Sequence, residues 1–353
     1  MSLSLGDAGL TVPAAGAGAF RALGDLLLSH ARVEPGGVDE RNLSHLLSAS
    51  CCPQLRRLRL EHIAGLAALR LDAAATLEEL RLEHLRDLAS LELDAPGLRA
   101  LHVADCYKMA DDEASATISA PRLEALACAQ ICHPDRLRFD GATSVRRLEK
   151  IVLDAHGPAG ENINAEAVGL LQHCTTADSL GVKIWPYQAK EGEDIEDLMS
   201  VVPNLPNIIN LTIDADRAHL EASIARLIAK CTRVERVSID IGYPCQLPCL
   251  KPHCFCHRED GWDWDGMNIS LEHLREAMIT GFLPSEHHRS LVRLMIASAP
   301  ALEKMTVESY CGKELDGSIP CDRGHWTPCA SEGSGRHGRV TIYEWTPDKR
   351  RDG

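Results

Sequence analysis

The sequence predicts an α/β protein in which short parallel strands stack into a solenoid, with helices on part of its convex side. Two observations predict this architecture. Leucines recur along one stretch at a fixed spacing of 22 residues, and other stretches repeat an apolar helix followed by a short apolar strand. A fixed period of roughly 20 to 50 residues is typical of proteins built from stacked repeats.

The leucine repeat begins at Leu55 and starts again at Leu77. The aligned pairs at this offset are Leu55 with Leu77, Leu58 with Leu80, Leu60 with Leu82, His62 with His84, Leu66 with Leu88, Leu69 with Leu91 and Leu71 with Leu93. The pattern L-x-x-L-x-L with a period of roughly 20–29 residues is the signature of a leucine-rich repeat. Because the motif also recurs at about half this period, each turn of the solenoid is predicted to carry two short parallel strands.

The leucines and the residues between them are expected to have different roles. Successive side chains of a strand point to opposite faces of a sheet. The leucines are therefore predicted to point inward and to stack on those of the next turn, since one turn alone cannot bury its apolar face. The residues between them point outward, so any recognition surface is expected among these outward residues.

A second kind of repeat carries a helix before the strand. The segments "VGLLQHCTTADSLGVKI", "IARLIAKCTRVERVSIDI" and "VRLMIASAPALEKMTVES" superpose, and "NLSHLLSASCCPQLRRLRL" is a looser copy. Cys174, Cys231 and Ala299 occupy the same position in the three copies, between the helix and a buried strand. These units resemble the larger helical leucine-rich repeats of ribonuclease-inhibitor type. In addition, "FRALGDLLLSHARV" is predicted to be an opening helix and "RVTIYEW" a final strand.

Composition and charge limit the classes of function. The chain has 353 residues and a formal net charge of −14, which disfavours nucleic acid and anionic membrane surfaces as main partners. No stretch reaches the roughly 20 apolar residues of a membrane-spanning helix. The first residues lack the basic and apolar segments of a signal peptide. We therefore predict a protein of the cytoplasm, the nucleus or both, whose fourteen cysteines are thiols.

Two stretches and their order along the chain resemble a known family. The stretches are "CCPQLRRLRLEHIAGLAALRLDAAATLEELRLEHL" and "CFCHREDGWDWDGMNISLEHLREAMITGFLPSEHHRSLVRLMIASAPALEKMTV". They resemble the plant F-box/leucine-rich-repeat proteins that have an FBD-like C-terminal region, and the resemblance covers roughly residues 20 to 307. It implies three parts: an N-terminal extension without an F-box at 1–19, a leucine-rich-repeat solenoid at 20–310, and an FBD-like region at 261–345 that overlaps the last repeat.

The resemblance implies that the chain recognises targets for a cullin–RING ubiquitin ligase of the SCF type. In such proteins the F-box docks on the small adaptor subunit of the ligase, and the repeats hold the target protein. Residues 1–19 are rich in glycine and alanine and contain no F-box. The alternative is therefore a stand-alone or decoy interaction protein that acts outside a ligase.

Outward residues on adjacent predicted strands form the candidate protein-binding surface, which consists of Arg59, Glu61, Arg81, Glu83 and His102. They make a mixed-charge ladder, and the competing interpretation is a solvated face whose cross-strand pairs only fix the register of the sheet. No nucleophile–base motif and no Gly-rich phosphate loop is present. We therefore predict a non-enzymatic protein-binding module without catalytic residues or a cofactor.

Cysteine and histidine residues cluster in the longest predicted loop, at Cys245, Cys249, His253, Cys254, Cys256 and His257. Zinc is held by four such ligands in a tetrahedron. The spacing C-x3-C-x3-H-C-x-C-H lacks paired C-x2-C ligands, so a reduced loop without metal is favoured and a zinc-dependent regulatory module remains the second alternative. Trp262 and Trp264 of the same loop are candidates for an aromatic anchor or for core packing.

His62 and His84 repeat in register, as the leucines around them do. Paired histidines suggest a ladder of metal ligands. Duplication of the repeat explains them equally well, because it copies most of the neighbouring residues too. The second interpretation is favoured.

Overall fold

The computed structural model describes residues 1–9, 20–34, 38–106, 114–128, 136–140, 144–161, 163–187, 194–215, 220–242, 269–282, 285–309, 324–329, 334–335, 338–339 and 341–348. Within these residues the protein is α/β, with mostly parallel strands, few helices and a large sheet. The chain divides into two compact units. The first comprises Met1–Ile151 and Ala165–Ala177, and the second comprises Val152–Asn164 and Asp178–Gly353.

The first unit contains the leucine repeat. Its described helices and strands are β1 (Ser2–Gly9), β2 (Asp25–Arg32), α1 (Val38–Leu46), β3 (Arg57–Ala64), β4 (Ala68–Asp72), β5 (Glu79–Glu83), β6 (Ser90–Asp94), β7 (Ala100–Ala104), β8 (Ser115–Ser119), β9 (Ala125–Cys128), β10 (Leu137–Asp140), the first residues of β11 (Arg147–Asp154), and α2 (Ala165–His173).

From β3 to β11 the chain alternates between two parallel sheets. The odd-numbered strands follow the order β1-β2-β3-β5-β7-β9-β11, in which β2 is the one even-numbered member, and β4, β6, β8 and β10 form a separate sheet. Each repeat thus contributes one strand to each sheet. The prediction of two short parallel strands per repeat is confirmed.

The register places equivalent leucines side by side. Leu58 pairs with Leu80 and Leu80 with Leu101, and all three are buried. Leu69 pairs with Leu91 in the second sheet, again with both side chains buried. Each fully buried leucine stabilises the fold by about 1.5–3 kcal/mol. The predicted inward direction of the leucines is therefore confirmed.

The predicted opening helix is wrong. Residues Asp25–Arg32 form strand β2, which pairs in parallel with β3 through Leu26 with Leu58 and Leu28 with Leu60. The apolar run fits either structure by composition, and the backbone hydrogen bonds of the neighbouring strands favour the strand. The segment 1–19 also contains strand β1, which pairs in parallel with β2.

The second unit has a comparable run of strands. Its described elements are β12 (His156–Pro158), β13 (Ser179–Trp185), β14 (Ile195–Asp197), a short 3₁₀ helix (Leu198–Val201), β15 (Asn210–Asp214), α3 (Glu221–Lys230), β16 (Arg236–Asp240), β17 (Glu276–Phe282), α4 (Glu286–Ser298), β18 (Lys304–Ser309), β19 (Gly324–Cys329), β20 (Ser334–Gly335), β21 (Gly338–Arg339) and β22 (Thr341–Pro347).

Strands β13, β15, β16, β17 and β18 are parallel neighbours in this order. Strand β22 is antiparallel to both β18 and β19. The predicted final strand "RVTIYEW" is confirmed, because β22 contains most of it.

The predicted helix-then-strand repeats are confirmed as well. Helices α2, α3 and α4 end directly before Cys174, Cys231 and Ala299, and all three residues are buried. The carbonyl oxygen of each accepts a hydrogen bond from the backbone N–H three residues later, at 3.1–3.2 Å. One turn geometry therefore connects each helix to its strand. A small side chain suits this buried position between helix and strand.

A close approach of two backbones constrains Gly281 at the end of β17. Gly281 has a φ of 75°, and a Cβ atom there would lie 2.4 Å from the carbonyl oxygen of Gly242. We expect Gly281→Ala to lower the free energy of unfolding by roughly 1–3 kcal/mol, through the positive φ and the clash together.

Thermal unfolding followed by circular dichroism measures this loss. Gly160 is the matched control, because its φ is 81° and no atom lies within 4 Å of its Cβ position. Gly160→Ala should lower the free energy of unfolding only through the positive φ, by about 1 kcal/mol. If both variants lost the same free energy of unfolding, the predicted clash between a Cβ atom at position 281 and Gly242 would not contribute to stability.

No helix in the described part of the chain has the length and apolar character of a membrane-spanning segment.

Candidate protein-binding surface

The five candidate residues Arg59, Glu61, Arg81, Glu83 and His102 lie together on one face of the first unit. We refer to these five residues as the polar ladder. Arg59 pairs in register with Arg81 and Arg81 with His102, while Glu61 pairs with Glu83. They alternate along β3, β5 and β7 with buried residues. The sheet therefore sets a row of basic side chains beside a row of acidic ones.

Glu83 is the centre of the polar ladder. Its Oε1 atom accepts from Arg81 Nη2 at 2.8 Å and lies 2.8 Å from His102 Nε2. Arg59 Nη2 lies 3.8 Å from Oε2 of the same carboxylate, and Arg59 also pairs with Glu61. The side chain of Glu83 is 16% exposed and that of Arg59 is 44% exposed. The ladder is thus a connected network that solvent reaches mainly through its arginines.

This geometry fixes the charge states of the network. Burial raises the pKa of Glu83, but the hydrogen bond from Arg81 and the charges of Arg81 and Lys150 lower it by more, so the net pKa is below its ordinary range. The hydrogen bond to Glu83 raises the pKa of Arg81. Both side chains are therefore charged at neutral pH.

His102 is the neutral member of the ladder. Burial lowers its pKa first, and the charges of Lys150 and Arg81 lower it further, to about 4. The 2.8 Å contact with Glu83 is therefore a hydrogen bond of a neutral imidazole near pH 7 and is not an ion pair. The partly exposed ring adds a polar contact without adding charge.

Lys150 is a sixth member of this surface that the sequence analysis missed. Its Nζ lies 3.3 Å from His102 Nε2, although β9 separates their strands. The residue of β9 in register with His102 is Ala127, whose short side chain leaves room for this contact. No sequence pattern indicates this contact, because the match of "LEKI" at 148–151 with "LEHI" at 60–63 aligns Lys150 with His62, whereas the sheet register aligns Glu149 with His102.

The histidine repeat has a conformational reason. His30, His62 and His84 all have a positive φ, between 51° and 56°, and Asp105 follows at 52°. Among residues other than glycine, the left-handed region favours asparagine, aspartate and histidine. The rings stack, with centroids 4.7 Å apart for His30 and His62 and 4.3 Å apart for His62 and His84. The repeated histidines therefore suit a repeated backbone conformation at the ends of β2, β3 and β5.

The described residues contain no group of three or more histidine, cysteine, aspartate or glutamate side chains arranged to hold a metal ion. The predicted cysteine–histidine loop, with Trp262 and Trp264, lies outside these residues.

The second sheet of the first unit carries a different outward row. Arg70 pairs in register with Glu92, at 3.3 Å between Nε and Oε2, and Asp72 pairs with Asp94. The Arg70 and Glu92 side chains are 81% and 55% exposed. An ion pair this exposed is worth little, so this row has the character of a solvated surface.

A comparison of the chain with models of known protein families finds no match, and a comparison with curated proteins finds none either. The polar ladder is therefore the main structural indication of function.

Proposed function

We propose that the chain is a non-enzymatic protein-binding module, built as a leucine-rich-repeat solenoid of ribonuclease-inhibitor type. The alternation of short parallel strands between two sheets, with stacked leucines inside, supports this architecture. The observation that carries the binding function is the polar ladder, a connected set of polar side chains on the outward face of β3, β5 and β7, which Lys150 of β11 contacts through His102.

The charge pattern favours recognition over plain solvation. Like charges in register on adjacent strands destabilise a sheet, and this sheet sets Arg59 beside Arg81 and Glu61 beside Glu83. Pairs along and between the strands compensate for this arrangement. The second sheet also sets Asp72 beside Asp94, but its ion pair between Arg70 and Glu92 is highly exposed, whereas Glu83 and its contacts in the polar ladder are largely shielded from solvent. Two ordered rows of opposite sign offer a pattern that a complementary partner can read.

The network is also suited to binding because it is already formed. The side chains of Glu83 and His102 are held by their neighbours, at 16% and 15% exposure. A partner that docks on them therefore orders few further rotatable bonds, and side-chain ordering is one of the main costs of association. Arg59 and Arg81, which are more exposed, are the residues expected to contact the partner directly.

We further propose that the bound protein is a target for a cullin–RING ubiquitin ligase of the SCF type. This part rests on the resemblance of the chain to F-box/leucine-rich-repeat proteins with an FBD-like region. The alternative is a stand-alone or decoy interaction protein that holds its target outside a ligase.

Affinity purification of the tagged full chain from its native cells, with mass spectrometry of the recovered proteins, tests both parts. We expect Arg59→Glu/Arg81→Glu to lose at least one partner that the wild-type chain retains. The matched control is Arg56→Glu/Arg99→Glu, which makes the same charge change at two exposed ion pairs of the same unit, with Glu78 and Glu124. The control is expected to retain every partner.

The outcomes separate the hypotheses. Recovery of adaptor and cullin subunits with the wild-type chain supports the ligase role, and their absence beside a ladder-dependent partner supports the stand-alone role. If the ladder variant and the control recover the same proteins as the wild type, the polar ladder is not the binding surface.

A further inference from the structure

The outward face of the second unit differs in chemistry from the polar ladder. In register across β13, β15, β16, β17 and β18, the middle outward row consists of Gly181, Thr212, Ser238, Met278 and Thr306. Four of these five side chains are short, and Met278 is 41% exposed. Long arginines stand at the middle position of β3 and β5 in the first unit. The second unit therefore presents a low, uncharged strip with one exposed apolar side chain.

Carboxylates dominate the next outward row, toward the ends of the same strands. Lys183 pairs in register with Asp214 and Asp214 with Asp240, while Glu308 lies on β18. Lys183 Nζ lies 3.6 Å from Asp214 Oδ2. Asp240 is exposed and accepts a hydrogen bond from the backbone N–H of Gly242 at 3.0 Å. Among the described residues of this row, three carboxylates thus face one ammonium group.

The row on the other side of the strip, in which Arg236, Glu276 and Lys304 are in register, has no negative excess. Arg236 pairs with Glu276 at 3.4 Å, and Lys304 pairs with Glu344 of β22 at 3.0 Å. The negative excess therefore lies on one side of the strip only. At the β13 end of the acidic side, Trp185 is 36% exposed, and Lys183 Nζ lies 4.9 Å from the centroid of its ring.

We propose that this strip is a second docking surface, which takes an extended basic segment of a protein partner. The basic side chains of the segment would pair with Asp214 and Asp240, and an apolar side chain would cover Met278. Five strands at a spacing of about 4.8 Å extend over about 19 Å, the length of about six extended residues.

The charges and side chains of the strip select this partner. The carboxylates repel phosphate, so they disfavour nucleic acid and anionic lipid. Because glycine, serine and threonine have no side chain or a short one, the backbone of a bound segment can come close to the sheet along the strip. Exposed tryptophan and methionine side chains supply the apolar contact that is enriched in protein interfaces. The proposal does not rest on the polar ladder, because it concerns other residues in the other unit.

Fluorescence anisotropy with the full-length chain and a labelled synthetic peptide tests the proposal. The probe is an eight-residue peptide in which lysine, leucine, lysine and serine occur twice in this order, and the control peptide has glutamate in place of lysine. We expect the lysine peptide to bind and the glutamate peptide not to bind. We expect Asp214→Asn/Asp240→Asn to weaken binding about tenfold, since two charge contacts are lost.

The matched control for the protein is Asp72→Asn/Asp94→Asn. These two aspartates are also in register on adjacent parallel strands, and they make the same charge change on the separate sheet of the first unit. Binding to this variant should remain within about twofold of wild type, because it makes the same change in net charge at residues that are not part of the strip. Met278→Ser should weaken binding without any change in charge.

Circular dichroism spectra and melting temperatures establish that each variant is folded before binding is compared. Equal weakening by the two aspartate pairs would mean that the peptide responds only to the net charge of the chain, and the proposal would be wrong. It would also be wrong if the lysine peptide bound no better than the glutamate peptide, or if Met278→Ser had no effect. None of these results would bear on the polar ladder.

Discussion

Replacement of Leu80 by aspartate is expected to abolish the cooperative folding of the first unit. Leu80 is fully buried on β5, and its register neighbours Leu58 and Leu101 are buried on the strands at either side. Loss of a buried leucine side chain alone costs about 2–5 kcal/mol. An unpaired carboxylate in the same place adds several kcal/mol. Since domains are stable by only about 5–15 kcal/mol, the unit should not fold.

Far-UV circular dichroism and thermal melting of the purified chain measure this effect. Leu80→Ala is expected to fold with a lowered melting temperature, because it leaves a cavity without a buried charge. Arg59→Glu is the control at an outward position. The side chain of Arg59 is 44% exposed, so this substitution places no charge in the core. Similar melting curves for Leu80→Asp and Arg59→Glu would mean that Leu80 and Arg59 do not differ in burial, contrary to the structure.

The leucine spacing predicted this part of the fold because the physical cause is local and periodic. A strand has a period of two, and neighbouring repeats must bury the same positions, so Leu58 and Leu80 could be assigned without knowledge of the rest of the chain. The same reasoning located the polar ladder on adjacent strands. It also placed Cys174, Cys231 and Ala299 after their helices, since three copies of one turn share one chemistry.

Other features could not be read from spacing. Strand β2 lies in an apolar run that suits a helix or a strand, and the choice depends on hydrogen bonds to β1 and β3. Lys150 reaches His102 across 48 residues of sequence. The low pKa of His102 follows from burial and from that contact, so it depends on the folded structure. The stacking of the histidines likewise depends on a positive φ, which cannot be predicted from the pattern of residue types.

The second large effect concerns a buried pair in the second unit that the sequence does not reveal. Glu221 is the first residue of α3 and His288 lies in the first turn of α4, and their side chains are only 5% and 4% exposed. His288 Nε2 lies 3.1 Å from Glu221 Oε1. A carboxylate only accepts hydrogen bonds, so the imidazole donates from Nε2. The pair fixes the two helices to each other.

We expect Glu221→Ala to lower the free energy of unfolding by about 3–5 kcal/mol, because removal of one partner leaves the other buried without its acceptor. Urea unfolding followed by circular dichroism measures the loss. Glu276→Ala is the control, since it breaks an exposed ion pair with Arg236 in the same unit and should cost about 0–1 kcal/mol. Equal losses in the two variants would mean that the Glu221–His288 contact does not stabilise the fold.

The contribution of Glu221 should also depend on pH in a defined direction. Burial raises the pKa of its carboxyl group, but the hydrogen bond and charge of His288 lower it further, so the folded-state pKa is below the ordinary value of 4.5. The unfolded chain then binds the proton more tightly than the folded one, and acid favours unfolding. The stabilisation is present in full above the ordinary pKa and is lost as the pH falls through the folded-state pKa. Urea titrations at a series of pH values should therefore show the wild type and Glu221→Ala converging in acid, whereas a constant difference would mean that Glu221 acts through packing and not through its charge.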